Sequence, residues 1–431
     1  MGGCIRDLLL GKKPKDFDVS TDATPDEVRR LFVNSRVIGR RFKIVHVVYG
    51  REIVEVTTFR SNEDNLNPKE QKTRMSASSG LILRDNVYGK DIVGDSERRD
   101  FTINALYLDP VKQEIYDYHG GFYDLKEHLI DMIGAPELRY SEDPVRIIRA
   151  LRFSAKLDFT ITRRSYEPIA SMASRLAEIS SARMFEEVNK LFLTGHGLKS
   201  YRILKDNKLF SMLFPAVSKF VDPQEYDNFV EYALKSSDER FLDGRPNMPH
   251  FLYAVLLWQV FEKNYYEKMN NAQSYARLPN QNEITNIVLE SVLGTQNRVT
   301  HIPFAVEDSI RNLWLMELML SDYEDYDPKE LTSKPVFRAA YDFLCLRSKF
   351  EPLLDDAVDF FKPYYQESKR AAEKRKERER GDKERLSGKG RRKDRKSYAE
   401  EGFEDESNLS DKRRKQLERA RAWRIAMHLE V

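Results

Sequence analysis

The strongest constraint on this chain is a change of hydrophobic period near Ser141. Before about residue 135 the apolar residues fall in short runs that alternate with polar ones; from Ser141 to about Tyr365 they recur at helical spacing. Lys15-Asp16-Phe17-Asp18-Val19 and Arg51-Glu52-Ile53-Val54-Glu55-Val56-Thr57 both read as strands with one polar face. Between them, Thr24-Pro25-Asp26-Glu27 predicts a helix start with Pro at its first position. A second start is predicted at Glu142-Asp143-Pro144, with Asp143 as N-cap and Pro144 at N1. The fold class that follows is α+β, a mixed head succeeded by an all-α remainder. Residues 61–80 are polar and poor in aliphatics, the composition of a long mobile loop.

The 431 residues, 41% hydrophobic and 33% charged, suffice for several ordinary cores. No stretch approaches the roughly 18 uncharged apolar residues of a membrane span, and no secretory signal opens the chain. Cys4 and Cys345 cannot build a disulfide framework or a cysteine-rich zinc site, and read as reduced thiols of a cytoplasmic protein. Net charge is only +2 but is unevenly placed. Residues 366–396 carry 15 Lys/Arg against 7 Asp/Glu, a local +8, while the part before them is slightly acidic. A basic tail of this kind suits a polyanionic partner such as nucleic acid, or else is a solvated, disordered segment or an isolated charged helix.

Three stretches can carry chemistry. Gly2-Gly3, Arg6-Asp7 and Asp16-Phe17-Asp18 form the sharpest. On a strand, residues i and i+2 share a face about 6.6 Å apart, so two carboxylates can converge on divalent ions held about 3.5–4 Å apart. Mg²⁺ takes one or two carboxylates and fills its other positions with phosphate oxygens and water. Glycine backbone lets N–H groups approach such phosphates closely. Alone, Asp-x-Asp is a weak signal, because solvated pairs are far commoner. In the second stretch, Arg98 to Ala105, Arg99 can clamp a triphosphate and Asn104 can bond a ribose hydroxyl. A surface Arg pair capping an element is the plainer alternative. In the third, Arg146, Arg149, Arg152 and Lys156 share one helical stripe, and Ile147, Ile148, Leu151 and Ala155 another. The cations can receive a base or a phosphate chain, with Asp143 and Arg146 offering an acceptor and a planar donor to a base edge. The alternative is a salt-bridged surface helix. No nucleophile elbow, P-loop or Cys/His metal spacing is present.

In this order, Gly2-Gly3-Cys4-Ile5-Arg6-Asp7, Lys15-Asp16-Phe17-Asp18-Val19, Arg98 to Ala105 and Glu142 to Leu157 resemble class II nucleotidyltransferases of the DNA polymerase β superfamily. That group holds bacterial poly(A) polymerases and CCA-adding enzymes. Arg40-Arg41-Phe42-Lys43-Ile44-Val45-His46-Val47, Leu83 to Gly89 and Lys334 to Asp342 look like the bacterial poly(A) polymerases, and the basic tail is similar in kind.

The resemblance implies a polymerase β-like nucleotidyltransferase head with a mixed sheet over residues 1–135, a helical neck over 136–205, a helical body over 206–365 and a disordered basic tail over 366–431. In that family a strand precedes the double glycine, so the head's first strand is expected to be missing from the sequence as written. Asp16 and Asp18 would hold two Mg²⁺ ions, with Asp100 or Glu55 as third carboxylate. Gly2, Gly3, Arg6, Arg99 and Asn104 would handle triphosphate and ribose; Asp143, Arg146 and Arg149 would select the base. The implied activity is template-independent transfer of AMP from ATP to RNA 3′ ends, in RNA processing and decay, with RNA-decay proteins as further partners. CCA addition to tRNA is the alternative within the family, and a non-catalytic RNA-binding adaptor the alternative of another class.

Overall fold

The head is built on a capping box. The Thr24 hydroxyl accepts from the Glu27 amide, and the Glu27 carboxylate accepts in return from the Thr24 amide at 2.8 Å. With Pro25 at the first position this fixes helix Pro25–Leu31 where the sequence predicts it. Its inner residue Val28 packs with Val45, Val47 and Val56 into a small core beneath a four-stranded sheet. The strands are β1 (Asp18–Thr21), β2 (Ser35–Ile38), β3 (Ile44–Tyr49) and β4 (Glu52–Thr58), in the order β1-β4-β3-β2. β1 runs parallel to β4 and the other pairs are antiparallel. These assignments come from a computed structural model that describes residues 1–39, 43–50, 52–60, 88–217, 223–272 and 281–398. The loop expected over 61–80, residues 40–42 and 83–87 of the family-like stretches, and the tail beyond Tyr398 lie outside these.

β4 matches its prediction to within a residue. β1 does not: the ladder with β4 begins at Asp18, so Asp16 and Phe17 precede the strand. Asp16 and Asp18 therefore do not share a strand face, and only Asp18 is strand-borne.

A second, much larger core runs without a break from the chain start to the last helix. It takes in Cys4 and Ile5 of helix Gly3–Leu9, Phe101 and Ile103, Leu106 of the β5–β6 hairpin (Leu106–Asp109, Glu114–Asp117), then Ile147 and Leu151, and reaches Trp258, Trp314 and Phe361. The switch to helix near Ser141 is confirmed. Helix Val145–Leu157 begins one residue later than predicted, with Pro144 at its N-cap, and the Asp143 carboxylate just before it accepts from the Val145 amide at 3.3 Å. Ile147, Ile148, Leu151 and Ala155 are buried, as the stripe predicts. The body helices follow, and the final one runs from Asp355 to Tyr398, carrying the basic stretch onward as charged helix. Among the described residues no helix is long and apolar enough to cross a membrane.

Candidate active site

β1 and β4 set Asp18 directly beside Glu55, and β3 sets His46 on the far side of Glu55. Residues in register across neighbouring strands share a face, so the three side chains form one row across the sheet. His46 Nε2 lies 3.2 Å from Glu55 Oε1. Burial, then the neighbouring Asp16 and Glu55 carboxylates, holds the Asp18 carboxyl above its ordinary range. Like charges collected on one face raise the affinity of a carboxyl for a proton or a cation. Asp16 reaches the group from the turn before β1.

Gly2 has φ of 68°, and a Cβ there would sit 3.3 Å from the Asn104 carbonyl, so the position needs glycine for close approach as well as for its backbone angle. Its amide donates to the Leu106 carbonyl at 2.7 Å. The two glycines lie beside the guanidinium groups of Arg99 and Arg6, which brings together the elements expected to cradle a triphosphate. Arg99 donates to Asp95 at 3.0 Å and to the Tyr107 hydroxyl at 3.3 Å. Burial opposes its charge, and the Asp95 carboxylate outweighs that, raising the Arg99 pKa.

Arg6 and Asn104 belong to a chain of contacts that crosses from head to neck. Arg6 Nη1 donates to Asn104 Oδ1 at 2.6 Å, and Asn104 Nδ2 donates to Asp100 Oδ1 at 3.2 Å. Asp100 Oδ1 also accepts from the Phe101 amide, and Oδ2 accepts twice from Arg149, at 2.8 and 2.5 Å. Burial alone would raise the Asp100 carboxyl; the Arg149 charge and these hydrogen bonds reverse that and hold it below its ordinary range. Of the two candidates for third carboxylate, Asp100 is held by Arg149, Asn104 and the Phe101 amide, while Glu55 stands next to Asp18. Asn104 likewise has both polar ends engaged, and Arg149 is a brace on Asp100.

The cation stripe of helix Val145–Leu157 is not a free surface. Arg146 donates to Glu142 at 3.1 Å and to the Arg139 carbonyl at 2.7 Å. Arg152 lies 3.6 Å from Glu187, and the Phe153 ring has the guanidinium groups of Arg6, Arg149 and Arg152 within 5.1, 5.5 and 4.6 Å. Burial pushes Arg152 down to about 10 and, with Arg152 and Lys156 nearby, pushes His196 down to about 4. Asp143 is gripped by Arg183 through two parallel bonds of 2.9 and 2.7 Å. Arg183, Arg139, Asp95, Tyr107 and Glu187 escaped the sequence reading, which had no spacing signal for partners brought in by tertiary packing.

Among the described residues no three His, Cys, Asp or Glu side chains form a ready metal cage. The donor set nonetheless fits Mg²⁺: hard oxygens, a carboxyl already strained by its neighbours, and an adjacent Arg-Gly cradle to bring the phosphate oxygens that complete the shell.

Three family models match the chain: "Poly A polymerase head domain" over residues 1–131, "Probable RNA and SrmB- binding site of polymerase A" over 158–221, and "Polymerase A arginine-rich C-terminus" over 280–397. Poly(A) polymerase I of Escherichia coli O6:H1 is 40% identical over 356 residues, covering 81% of this chain and 75% of that protein. Poly(A) polymerase I of Haemophilus influenzae is 41% identical over 361 residues, covering 81% and 77%. A Staphylococcus aureus CCA-adding enzyme is 33% identical over 213 residues, covering 49% and 50%. In fold, the chain is similar to the Bacillus stearothermophilus CCA-adding enzyme solved with CTP, with a TM-score of 0.57 at 22% identity over 84% of this chain and 77% of that one.

Proposed function

The chain belongs to the bacterial poly(A) polymerase I family, and from that premise we propose that it extends RNA 3′ ends with AMP from ATP, without a template, at the carboxylate row and the Arg-Gly cradle beside it. The observation that supports this reading best is the row of Asp18 and Glu55 on paired strands, with Asp16 beside it and the Arg99 guanidinium near enough to act on the Asp18 carboxyl.

Asp16 and Asp18 would hold Mg²⁺, two ions by the usual stoichiometry of such transfers, with Glu55 as the third carboxylate. When bound, the metal lowers the pKa of the attacking hydroxyl and neutralises charge on the departing pyrophosphate. Arg6 and Arg99, with the backbone of Gly2 and Gly3, orient the triphosphate for in-line attack by the RNA 3′-hydroxyl. Asp143, fixed by Arg183, and Arg146, fixed by Glu142, present the acceptor and donor that read the base. Asp100, bonded to Asn104 and to Arg149, would tie the head to the neck helix beside these groups. A cytoplasmic setting among RNA-decay proteins suits this activity.

Primer extension on a generic single-stranded RNA, with Mg²⁺ and each NTP separately, tests the reading. A long ladder with ATP alone is expected. Two or three additions that need CTP and a tRNA end would instead give the CCA-adding activity named for the Staphylococcus aureus relative. RNA binding with no incorporation under any condition would leave the adaptor.

The basic stretch gives a separate expectation. Deleting residues after Tyr365 removes the local +8 and is expected to weaken RNA affinity and flatten its salt dependence. Each lost phosphate contact on single-stranded RNA takes about 0.7 from the log–log slope. Equal slopes with and without the segment would assign it to solubility.

A further inference from the structure

Arg139 is 7% exposed and lies in helix Pro136–Glu142, between the two stretches assigned to substrate. Its Nη2 donates to the carbonyls of Arg98 and Arg99, at 2.9 and 2.7 Å. Its Nη1 donates to Glu142 Oε2 at 2.7 Å, and the same oxygen accepts from Arg146 at 3.1 Å. Its own carbonyl accepts from Arg146 Nη1 at 2.7 Å. One buried residue therefore grips the backbone that carries the triphosphate arginine and, through Glu142 and its main chain, the arginine that faces the base.

From this geometry we infer that Arg139 is a positioning residue for nucleotide selection: it fixes the span between the Arg99 clamp and the Arg146 donor, and so sets which base fits when the triphosphate is seated. The inference rests on the reading of Arg146 as a base-selecting residue. The physical ground is that a purine and a pyrimidine seated on the same triphosphate present their edges at different reach. A selector built from side chains on two elements discriminates only as well as the distance between those elements is held. Displacements of about 1 Å cost up to about a hundredfold in such arrangements. The guanidinium suits the task because its planar fork makes several bonds in fixed directions, which an ammonium cannot reproduce. A second feature supports the assignment. Glu142 Oε2 is shared by two arginines, so release of Arg139 changes the bonding of Arg146 with no change to the Arg146 side chain.

The test compares Arg139→Lys, Arg146→Ala and the double variant of the full chain by single-nucleotide incorporation, with KM and kcat taken separately for ATP and CTP. Arg139→Lys is expected to raise KM for ATP more than it lowers kcat, and to reduce the ATP-over-CTP preference about tenfold. Addition of Arg139→Lys to Arg146→Ala is expected to change that preference less than twofold further, since the brace then has no selector to hold. Glu142→Gln, which leaves the grip on both carbonyls and weakens the shared bonds to Arg139 and Arg146, is expected to lower the preference in the same direction. It carries the test if Arg139→Lys does not fold. A purely structural Arg139 would instead lower the melting temperature and scale both nucleotides equally, and that result overturns the inference. If Arg146→Ala shifts the preference while Arg139→Lys and Glu142→Gln do not, the brace is refuted and the selector stands. If none of them shifts it, the selector reading itself fails and the inference with it.

Discussion

Asp18→Asn is expected to reduce AMP transfer by about a thousandfold or more, since it removes the strand-borne metal carboxylate while leaving the RNA contacts in place. Stability should move the other way. Burial and the charges of Asp16 and Glu55 raise the Asp18 carboxyl, so its contribution is full below the ordinary value of 3.8 and is lost as pH rises through the raised one. At neutral pH the ionised group opposes the fold, and the neutral amide relieves that. In metal-free buffer the variant should therefore melt at or above the parent temperature. Added Mg²⁺ should raise the parent's melting point and leave the variant's in place. A ligand at a hundredfold excess over its Kd stabilises by about 2.7 kcal/mol. Melting scans with and without MgCl₂, beside single-turnover primer extension, check both halves. Retained activity, or a variant that still gains from Mg²⁺, would remove Asp18 from the metal site.

Asp100→Ala should behave in the opposite sense. The carboxylate is the hub that joins Asn104, Arg149 and the Phe101 amide, and its loss leaves the Arg149 guanidinium without its acceptor. A broken buried pair costs about 3–5 kcal/mol. The lower end applies here, because the Arg149 side chain keeps 30% exposure against 10% for Asp100. The pH dependence has a definite sign. The Asp100 carboxyl is depressed, so its stabilisation is present above 3.8 and disappears as pH falls through the lowered value. The variant should lose that acid limb of the stability curve. Denaturant titrations at neutral and acid pH measure the effect. An unchanged midpoint at neutral pH would mean that the head–neck contact is not held by this residue.

The elements that the sequence made legible are those with local causes. Pro25 fixes a helix start by its ring and Asp143 marks one by its carboxylate, and Glu52–Thr58 alternates because one face of β4 covers the valine core while the other carries Glu55. Asp16 was misplaced on a strand because the strand extends only as far as its ladder with β4, a fact held by residues about 40 positions away. The stripe from Arg146 to Lys156 was found with its period correct and its environment left open. Burial obliges a guanidinium to find an acceptor, and the acceptors, Glu142, Asp100 and Glu187, come from three different segments. Arg183, 40 residues beyond the aspartate it grips, has no periodicity that could have announced it. Local rules located the candidate site; which of its members touch substrate and which only hold them is a tertiary matter.

The two separate cores have a consequence for how the site opens. Asp18 and Glu55 ride on the sheet above four buried valines, whereas Arg6, Asn104 and Asp100 are fastened to the core that continues through neck and body. Among the described residues the sheet rests on that small valine cluster and its ladder bonds, so its local unfolding is expected to cost less than disruption of the larger core. The carboxylates therefore belong to a cooperative unit that can loosen while the arginines keep their places. A nucleotide bridging both units would tie them together, so amide exchange in the sheet is a thermodynamic reporter of the occupied state.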